Sequence, residues 1–197
     1  MSDAAAPARA AASPEVIAAK YMVHAYENWA KAEGPPVHEA PWFDLNAVAT
    51  GPWPRLGVDG AFCHLTGRCD YLAMWLLDIP TGRASAFQHH LFDAACVVVS
   101  GHGTATIEGA DGSHAFAWGP NSVFTVPLNA RYRFEAAQRA RIAVVSDARY
   151  VLSLYRSEKF VFENPARFAG AVFRNAANGA DGLLESNIVP DVGTCAL

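Results

Sequence analysis

The sequence predicts an all-β fold, in which one helix precedes a sandwich or barrel of short strands. From about Gly60 onward, short runs that favour β-structure alternate with breaks of Gly, Asp and Asn. No helical period of apolar residues survives in this region until well past Asp147, and no segment repeats at a fixed period. Many short strands at regular spacing are typical of sandwiches and barrels.

The composition fits one globular domain with peripheral segments. Of the 197 residues, 52% are hydrophobic and 17% are charged, so the chain can bury an extensive core. Its net charge of −4 and the lack of a Lys/Arg tract argue against a nucleic-acid partner. No run approaches ~18 apolar residues, so we expect no membrane partner. The 4 cysteines form no CxxC pair, and we interpret them as reduced thiols of a cytoplasmic protein.

One helix is predicted before the strands. Ser13 can cap the first turn of this helix and Pro14 suits that turn, whereas Gly34 ends the helix. Apolar residues recur along the helix at helical spacing and predict a buried stripe: Ala18, Met22, Ala25, Tyr26 and Trp29. Residues 35–54 are rich in proline and contain two tryptophans, which indicates an irregular strap over a hydrophobic surface.

The strands are predicted to follow this strap. The candidate strands are residues 61–65, 71–78, 85–92, 95–100, 104–108, 114–118, 122–126, 132–135, 142–146 and 151–155. The predicted organisation is a flexible tail (1–13), the helix and strap (14–59), the barrel (60–157) and a docked C-terminal extension (158–197).

The segment 82–101 has the spacing G-x5-Q-x-H-x3-A-x6-G. This segment resembles the first motif of the cupins, which runs Gly-x5-His-x-His-x3/4-Glu-x6-Gly. Segment 119–132 resembles a loose version of the second motif, Gly-x5-Pro-x-Gly-x2-His. The resemblance covers roughly residues 60–155 and implies a single double-stranded β-helix, or jelly-roll barrel.

The resemblance also implies a metal site, but most of its ligand positions are changed. Gln88 stands at the first His position, His90 matches the second, Ala94 replaces Glu, and Tyr132 replaces the His of the second motif. Alternate residues of a strand share a face, so the side chains at 88 and 90 should point into the barrel. Glutamine is a weak ligand for Fe, Mn, Ni or Zn, and tyrosine binds well only when deprotonated. We therefore expect no metal cofactor; the alternative is one of these metals bound by His90 and Gln88.

The same inward positions predict a ligand pocket. By strand parity, this pocket should be lined by the side chains of Gln88, His90, Cys96 and Tyr132. An apolar cavity with a few polar groups suits a small organic ligand. The alternative is a filled core in which Gln88, His90 and Tyr132 satisfy one another's hydrogen bonds.

Other polar residues are weaker candidates for this site. His89 and Asp93 have the opposite parity to His90 and should face away from the interior, while His64 could reach in from across the barrel. His102 and His114 lie in or next to turns, where we expect solvent exposure.

Two functions fit these residues. The first is a metal-free cupin that binds a small organic molecule or serves as a non-catalytic subunit. The second, implied by the resemblance, is a metal-dependent dioxygenase, isomerase or lyase that acts on a small carbon compound. In that enzyme His90 would be a ligand or general base, and Tyr132 an acid or orienting hydroxyl. In either case we expect a homodimer or a pairing with another cupin subunit.

Restoring the cupin ligands tests the motif alignment. We expect Gln88→His, Ala94→Glu and Tyr132→His together to create a site for Ni or Zn that the parent lacks. Metal content of the purified, folded variant is the measurement. A folded triple variant without metal would show that the second motif or the strand register is misplaced.

Overall fold

The computed structural model describes residues 24–67, 71–168 and 186–194. Its strands are β1 (Val37–Ala40), β2 (Gly51–Trp53), β3 (Val58–Leu65), β4 (Ala73–Ile79), β5 (Ala94–Ser100), β6 (Gly103–Gly109), β7 (Gly112–Trp118), β8 (Val123–Val126), β9 (Arg131–Ala136), β10 (Ala140–Ser146) and β11 (Ile188–Val189). Its helices are α1 (Ala25–Glu33), α2 (Ala148–Tyr155) and α3 (Glu158–Phe162), with a short 3-10 helix at Val192–Thr194. None of the described helices is long and apolar enough to cross a membrane.

The strands form two sheets in jelly-roll order. The larger sheet runs β1-β3-β4-β10-β5-β8-β11, with β2 added beside β3, and the smaller sheet runs β7-β6-β9. Two bridges, Ala84 to Glu135 and Gln88 to Tyr132, add segment 84–88 to the free side of β9. The order β4-β10-β5-β8 therefore faces the order 84–88, β9, β6, β7, which is the arrangement of a jelly roll. The predicted all-β fold is confirmed, although the sheets do not close into a complete barrel.

The core lies between the two sheets. In β5 and β6 the more buried side chains alternate with less buried ones, as expected when one face of a strand packs against the core. Phe124 of the larger sheet meets Phe116 and Phe134 of the smaller sheet, with ring centroids 5.3 and 5.5 Å apart. These edge-to-face contacts join the sheets in the middle of the core.

Helix α1 covers one end of this core. Ala25, Tyr26 and Trp29 of the predicted stripe are buried, and Gly34 ends the helix at φ 95° as a left-handed cap. The Glu33 carboxylate of the last turn accepts hydrogen bonds from Arg55 and from the Trp53 indole, the latter at 2.7 Å. The helix is thereby fixed to the strap, while the predicted cap at Ser13 lies outside the described residues.

Three parts of the sequence-based assignment differ from the structure. The strand predicted at 151–155 is wrong, because this segment belongs to helix α2, in which Ala148, Val151 and Leu152 are buried at helical spacing. Residues 85–92 form no regular strand, since only the two isolated bridges join segment 84–88 to β9. The strap predicted to be irregular contains β1 and β2.

A buried carboxylate near the end of β4 joins this interior strand of the larger sheet to β10 and to the strap. Asp78 of β4 is 3% exposed, and Arg139 donates to it through Nε and Nη2 at 2.8 Å each. Arg141 of β10 donates to it at 3.1 and 3.2 Å and also reaches the carbonyls of Leu45 and Asn46 in the strap. Burial alone would raise the pKa of Asp78, but the two guanidinium groups outweigh it and lower that pKa.

Neutralising this carboxylate tests its structural role. We expect Asp78→Asn to lower the free energy of unfolding by about 2–3 kcal/mol, because two arginines lose their shared anion. Urea unfolding near neutral pH measures the change. The control is Asp59→Asn, an exposed carboxylate opposite Asp78 on β3, which should change stability by less than ~0.5 kcal/mol. Equal losses in the two variants would contradict this role.

Candidate functional site

The irregular segment before β5 crosses the end of the barrel beside β9. Gln88 and Tyr132 exchange both backbone hydrogen bonds, each at 2.8 Å, and this pairing fixes the register between the two segments. Two residues further on, His90 turns inward and reaches the side chain of Tyr132. The structure therefore brings these three predicted residues to one end of the core.

His90 has both ring nitrogens occupied. Nδ1 lies 2.9 Å from the carbonyl oxygen of Phe92, which can only accept, so Nδ1 carries the proton. Nε2 of the neutral ring then accepts the hydrogen bond of the Tyr132 hydroxyl at 3.0 Å. The imidazole also stacks on Phe92, with centroids 3.7 Å apart and planes within 4°. This geometry fixes the tautomer and leaves His90 no free lone pair.

Burial keeps this pair uncharged. It lowers the pKa of His90 from 6.5 to about 3, and it raises the pKa of the Tyr132 hydroxyl far above its ordinary value. It likewise raises the pKa of the Cys96 thiol. Near neutral pH the His90–Tyr132 pair is thus a hydrogen bond between two neutral groups.

The space around the pair is nearly filled. A cavity of about 20 Å³ remains, which is room for about one water molecule. Aromatic side chains make most of its wall, and its lining includes Trp29, Trp53, Trp75, Phe92, Tyr132 and Phe162. Cys96 is buried but does not line this cavity, so of the four predicted ligand-binding residues only Gln88, His90 and Tyr132 do.

The outer end of the cavity is closed by helix α3. The Phe162 ring stacks on the Trp29 ring, with centroids 5.2 Å apart and planes inclined by 22°. It also meets the Phe92 ring edge-on, with centroids 5.7 Å apart. The Arg55 guanidinium lies 4.4 Å from the centre of the same ring. Sequence reasoning did not place Trp29, Arg55 or Phe162 at this site, because they come from three distant segments with no shared motif.

The donor set does not fit a transition metal. The ring nitrogens of His90 are engaged by Phe92 and Tyr132, and the Gln88 amide donates to the carbonyl of Arg55 at 2.9 Å. Within residues 24–67, 71–168 and 186–194, no group of three His, Cys, Asp or Glu side chains could bind a metal ion. A stable Fe, Mn, Ni or Zn site needs several such donors, so we derive no chemistry through a metal.

The weaker sequence candidates do not join this site. His89 projects to the opposite side of its segment, and Asp93 is exposed. His64 of β3 is half-buried next to a glutamate, with Nδ1 3.7 Å from the carboxylate. His102 is exposed in a turn, and His114 contacts an aspartate of the neighbouring turn at 3.0 Å.

Comparisons with known proteins found likenesses among solved structures alone. No family model and no curated protein matches the chain. Among solved structures, the Cnp3 cupin domain of Schizosaccharomyces pombe is similar at 14% identity, with TM-score 0.46 over 58% of this chain and 79% of that chain. Oxalate decarboxylase from Lactobacillus farciminis is similar at 14% identity, with TM-score 0.45 over 53% of this chain and 32% of the decarboxylase chain. Salicylate 1,2-dioxygenase from Pseudoaminobacter salicylatoxidans is similar at 17% identity, with TM-score 0.40 over 44% of this chain and 23% of the dioxygenase chain.

The strand order of this chain is that of a jelly roll, which its own strand pairing shows. The matches span only 23% to 32% of the dioxygenase, tomato vicilin and decarboxylase chains. At TM-scores below 0.5 these likenesses support no argument about this chain, and none of the activities of the matched proteins carries over to it.

The neutral state of His90 predicts how stability depends on pH. Because its pKa is about 3 when folded and 6.5 when unfolded, the unfolded chain binds one more proton between these values. The stabilisation is complete above pH 6.5 and is lost as the pH falls toward 3. In this range we expect His90→Gln to reduce the slope of unfolding free energy against pH by up to about 1.4 kcal/mol per pH unit.

Urea unfolding at a series of pH values provides the measurement. His102→Gln is the control, because it makes the same substitution at an exposed histidine and should leave the slope unchanged. Parallel curves for the wild type and His90→Gln would contradict a buried, neutral His90.

Proposed function

We propose that this chain binds a small, uncharged aromatic molecule at the end of its barrel, without a metal, and that the ligand takes the place of the Phe162 ring. The observation that carries this proposal is that the Phe162 ring stacks on the Trp29 ring and contacts the Arg55 guanidinium, at the cavity that the His90–Tyr132 pair also lines. In this proposal, a side chain from the short helix α3 occupies the place where a planar ligand would bind.

The walls around Phe162 favour a planar aromatic ring. Trp29 offers a face for stacking, and Phe92 meets the Phe162 ring edge-on. Trp53 and Trp75 complete the apolar lining at the same end of the core. Aromatic pairs contribute about 0.5–1.5 kcal/mol beyond the burial of their area, so a ligand ring in this position restores both contributions that are lost when the Phe162 ring leaves.

The charges at the site favour an uncharged ligand. Arg55 is the only ionised group in the described lining, and the Glu33 carboxylate, whose side chain is 8% exposed, already neutralises it through Nε at 2.8 Å. No carboxylate lines the cavity in the described part of the chain, and His90 is neutral. A charged ligand would therefore be desolvated without a counter-ion.

Phe162 is the wall residue that can leave at the lowest cost. The cavity of about 20 Å³ is too small for an organic ligand, so a wall residue must move. Most other wall residues lie on strands or on the segment bonded to β9, whereas Phe162 ends a helix of five residues. Helices this short have little stability of their own. Displacing α3 therefore disrupts less of the fold than moving any strand.

A ligand with an acceptor oxygen could accept a hydrogen bond from the Trp29 indole. This indole lines the cavity, and its buried Nε1–H donates to no residue among those that the structure describes. A buried donor without an acceptor costs free energy, which a ligand oxygen would recover. We therefore favour ring compounds with one neutral acceptor, such as phenols or aromatic alcohols.

The other sequence-based proposals have less support. A metal-dependent dioxygenase, isomerase or lyase would need several metal donors, and the described residues at this end of the barrel offer no such group. Service as a non-catalytic subunit, as a homodimer or beside another cupin, stays a prediction that light scattering of the purified protein, alone and with a cupin partner, would test.

Removing the Phe162 ring tests the binding proposal. We expect Phe162→Ala to lower the free energy of unfolding by about 3–5 kcal/mol and to open a cavity of ring size. Phenol and benzyl alcohol should then raise its Tm more than they raise that of the wild type, because the wild type must first displace its own ring. Thermal unfolding measures Tm, and quenching of tryptophan fluorescence reports ligand contact with the site.

Phe160→Ala is the matched control, since Phe160 is an exposed ring on the same helix. This variant should respond to the compounds as the wild type does. If the compounds raise the Tm of Phe162→Ala but never that of the wild type, Phe162 is a permanent part of the core and the proposal is wrong.

A further inference from the structure

A second cavity lies on the opposite side of the segment that carries His90. It has a volume of about 170 Å³, and we call it the rim pocket. The described residues that line it are His89, Asn129, Arg131, Asn164, Pro165, Ala166 and Arg167. It is formed where the chain after α3 crosses the turn before β9, and it is separate from the aromatic site.

Asn129 organises the rim pocket. It is 5% exposed and has a left-handed backbone with φ 54°, a conformation that asparagine tolerates better than most residues. Its Nδ2 donates to the carbonyls of Asn164 and Ala166 at 3.0 and 2.7 Å. These two bonds hold the chain after α3 against the barrel and make the wall of the pocket.

The same asparagine fixes the tautomer of His89. Because Nδ2 of Asn129 faces two carbonyls, its Oδ1 must be the atom 3.0 Å from Nδ1 of His89. That oxygen only accepts, so Nδ1 of His89 carries the proton and Nε2 holds a lone pair when the ring is neutral. Nε2 makes no hydrogen bond with any residue that the structure describes.

Two arginines give the rim pocket a positive charge. Arg131 donates through Nη1 to the Glu108 carboxylate at 3.0 Å and lies 3.8 Å from the centre of the Phe87 ring. Arg167 donates through Nη1 to the main-chain oxygen of Glu108 at 3.1 Å. Glu108 lies outside the lining and balances only one guanidinium, and no Asp or Glu lines the pocket in the described residues. Each guanidinium offers five N–H donors, so most remain for a ligand.

We infer that the rim pocket binds a small oxyanion, a phosphate or carboxylate group, between Arg131 and Arg167. Guanidinium groups bind the oxygens of planar carboxylates and tetrahedral phosphates through paired, charge-assisted hydrogen bonds. The lone pair of His89 Nε2 can accept from an anion that keeps one protonated oxygen, as inorganic phosphate does near neutral pH. The volume is enough for several water molecules and therefore for a small anion.

Titration of the full-length protein with inorganic phosphate and, separately, with malonate tests this inference. Backbone amide shifts in NMR spectra locate binding, and calorimetry gives the Kd. We expect saturable shifts at residues 89, 129–131, 164, 166 and 167, and a Kd at least about tenfold weaker for the double variant Arg131→Gln, Arg167→Gln. A preference for phosphate would identify a phosphate-bearing ligand, and a preference for malonate a carboxylate.

Arg83→Gln is the control, because Arg83 is exposed and lies outside the rim pocket. It removes one positive charge and should leave the Kd unchanged. Equal binding by the wild type and a folded double variant, or shifts spread evenly over the exposed arginines, would overturn the inference. So would the absence of saturable shifts with both anions.

Discussion

The hydrogen bond from Tyr132 to His90 is the interaction on which the interior of this protein depends. It joins the irregular segment before β5 to β9, and it occupies the nitrogen of His90 that a metal would need. Phe92 engages the other nitrogen through its carbonyl oxygen and covers the ring face, so the imidazole is fixed and neutral. A position suited to metal chemistry in the cupin motif is therefore part of a packed aromatic core in this chain.

The segment that carries His90 separates two chemically different sites. Its inward side chains, Gln88 and His90, meet a neutral aromatic interior, whereas His89 faces a polar cavity bordered by two arginines. Side-chain alternation along an extended segment produces this division directly. Neutral rings and small anions are accordingly expected on opposite sides of the same few residues, with no shared ligand group.

The sequence predicts the barrel and the convergence at its end because both follow from local patterns. Short strands, glycine breaks and alternate positions define the sheets, and the cupin-like spacing places positions 88, 90 and 132. The helix at 148–155 escapes this reasoning because Val151 and the aromatic residues around it favour strands locally, and its helical form is stabilised by tertiary burial. Arg55, Phe162 and Asn129 escape it because their roles depend on contacts between segments more than thirty residues apart.

The occupied state of the aromatic site determines what kind of ligand can enter. Phe162 belongs to the same chain as its binding site, so a ligand competes with a ring held at high effective concentration. Leu91 donates to the carbonyl of Val161 at 3.0 Å, and Asn129 holds the chain just beyond α3, so the ring leaves only if these tethers yield or stretch. A ligand that merely repeats the phenyl stack gains nothing to offset this cost. A ligand whose oxygen accepts from the Trp29 indole gains a bond that Phe162 cannot make, and selectivity follows from that difference.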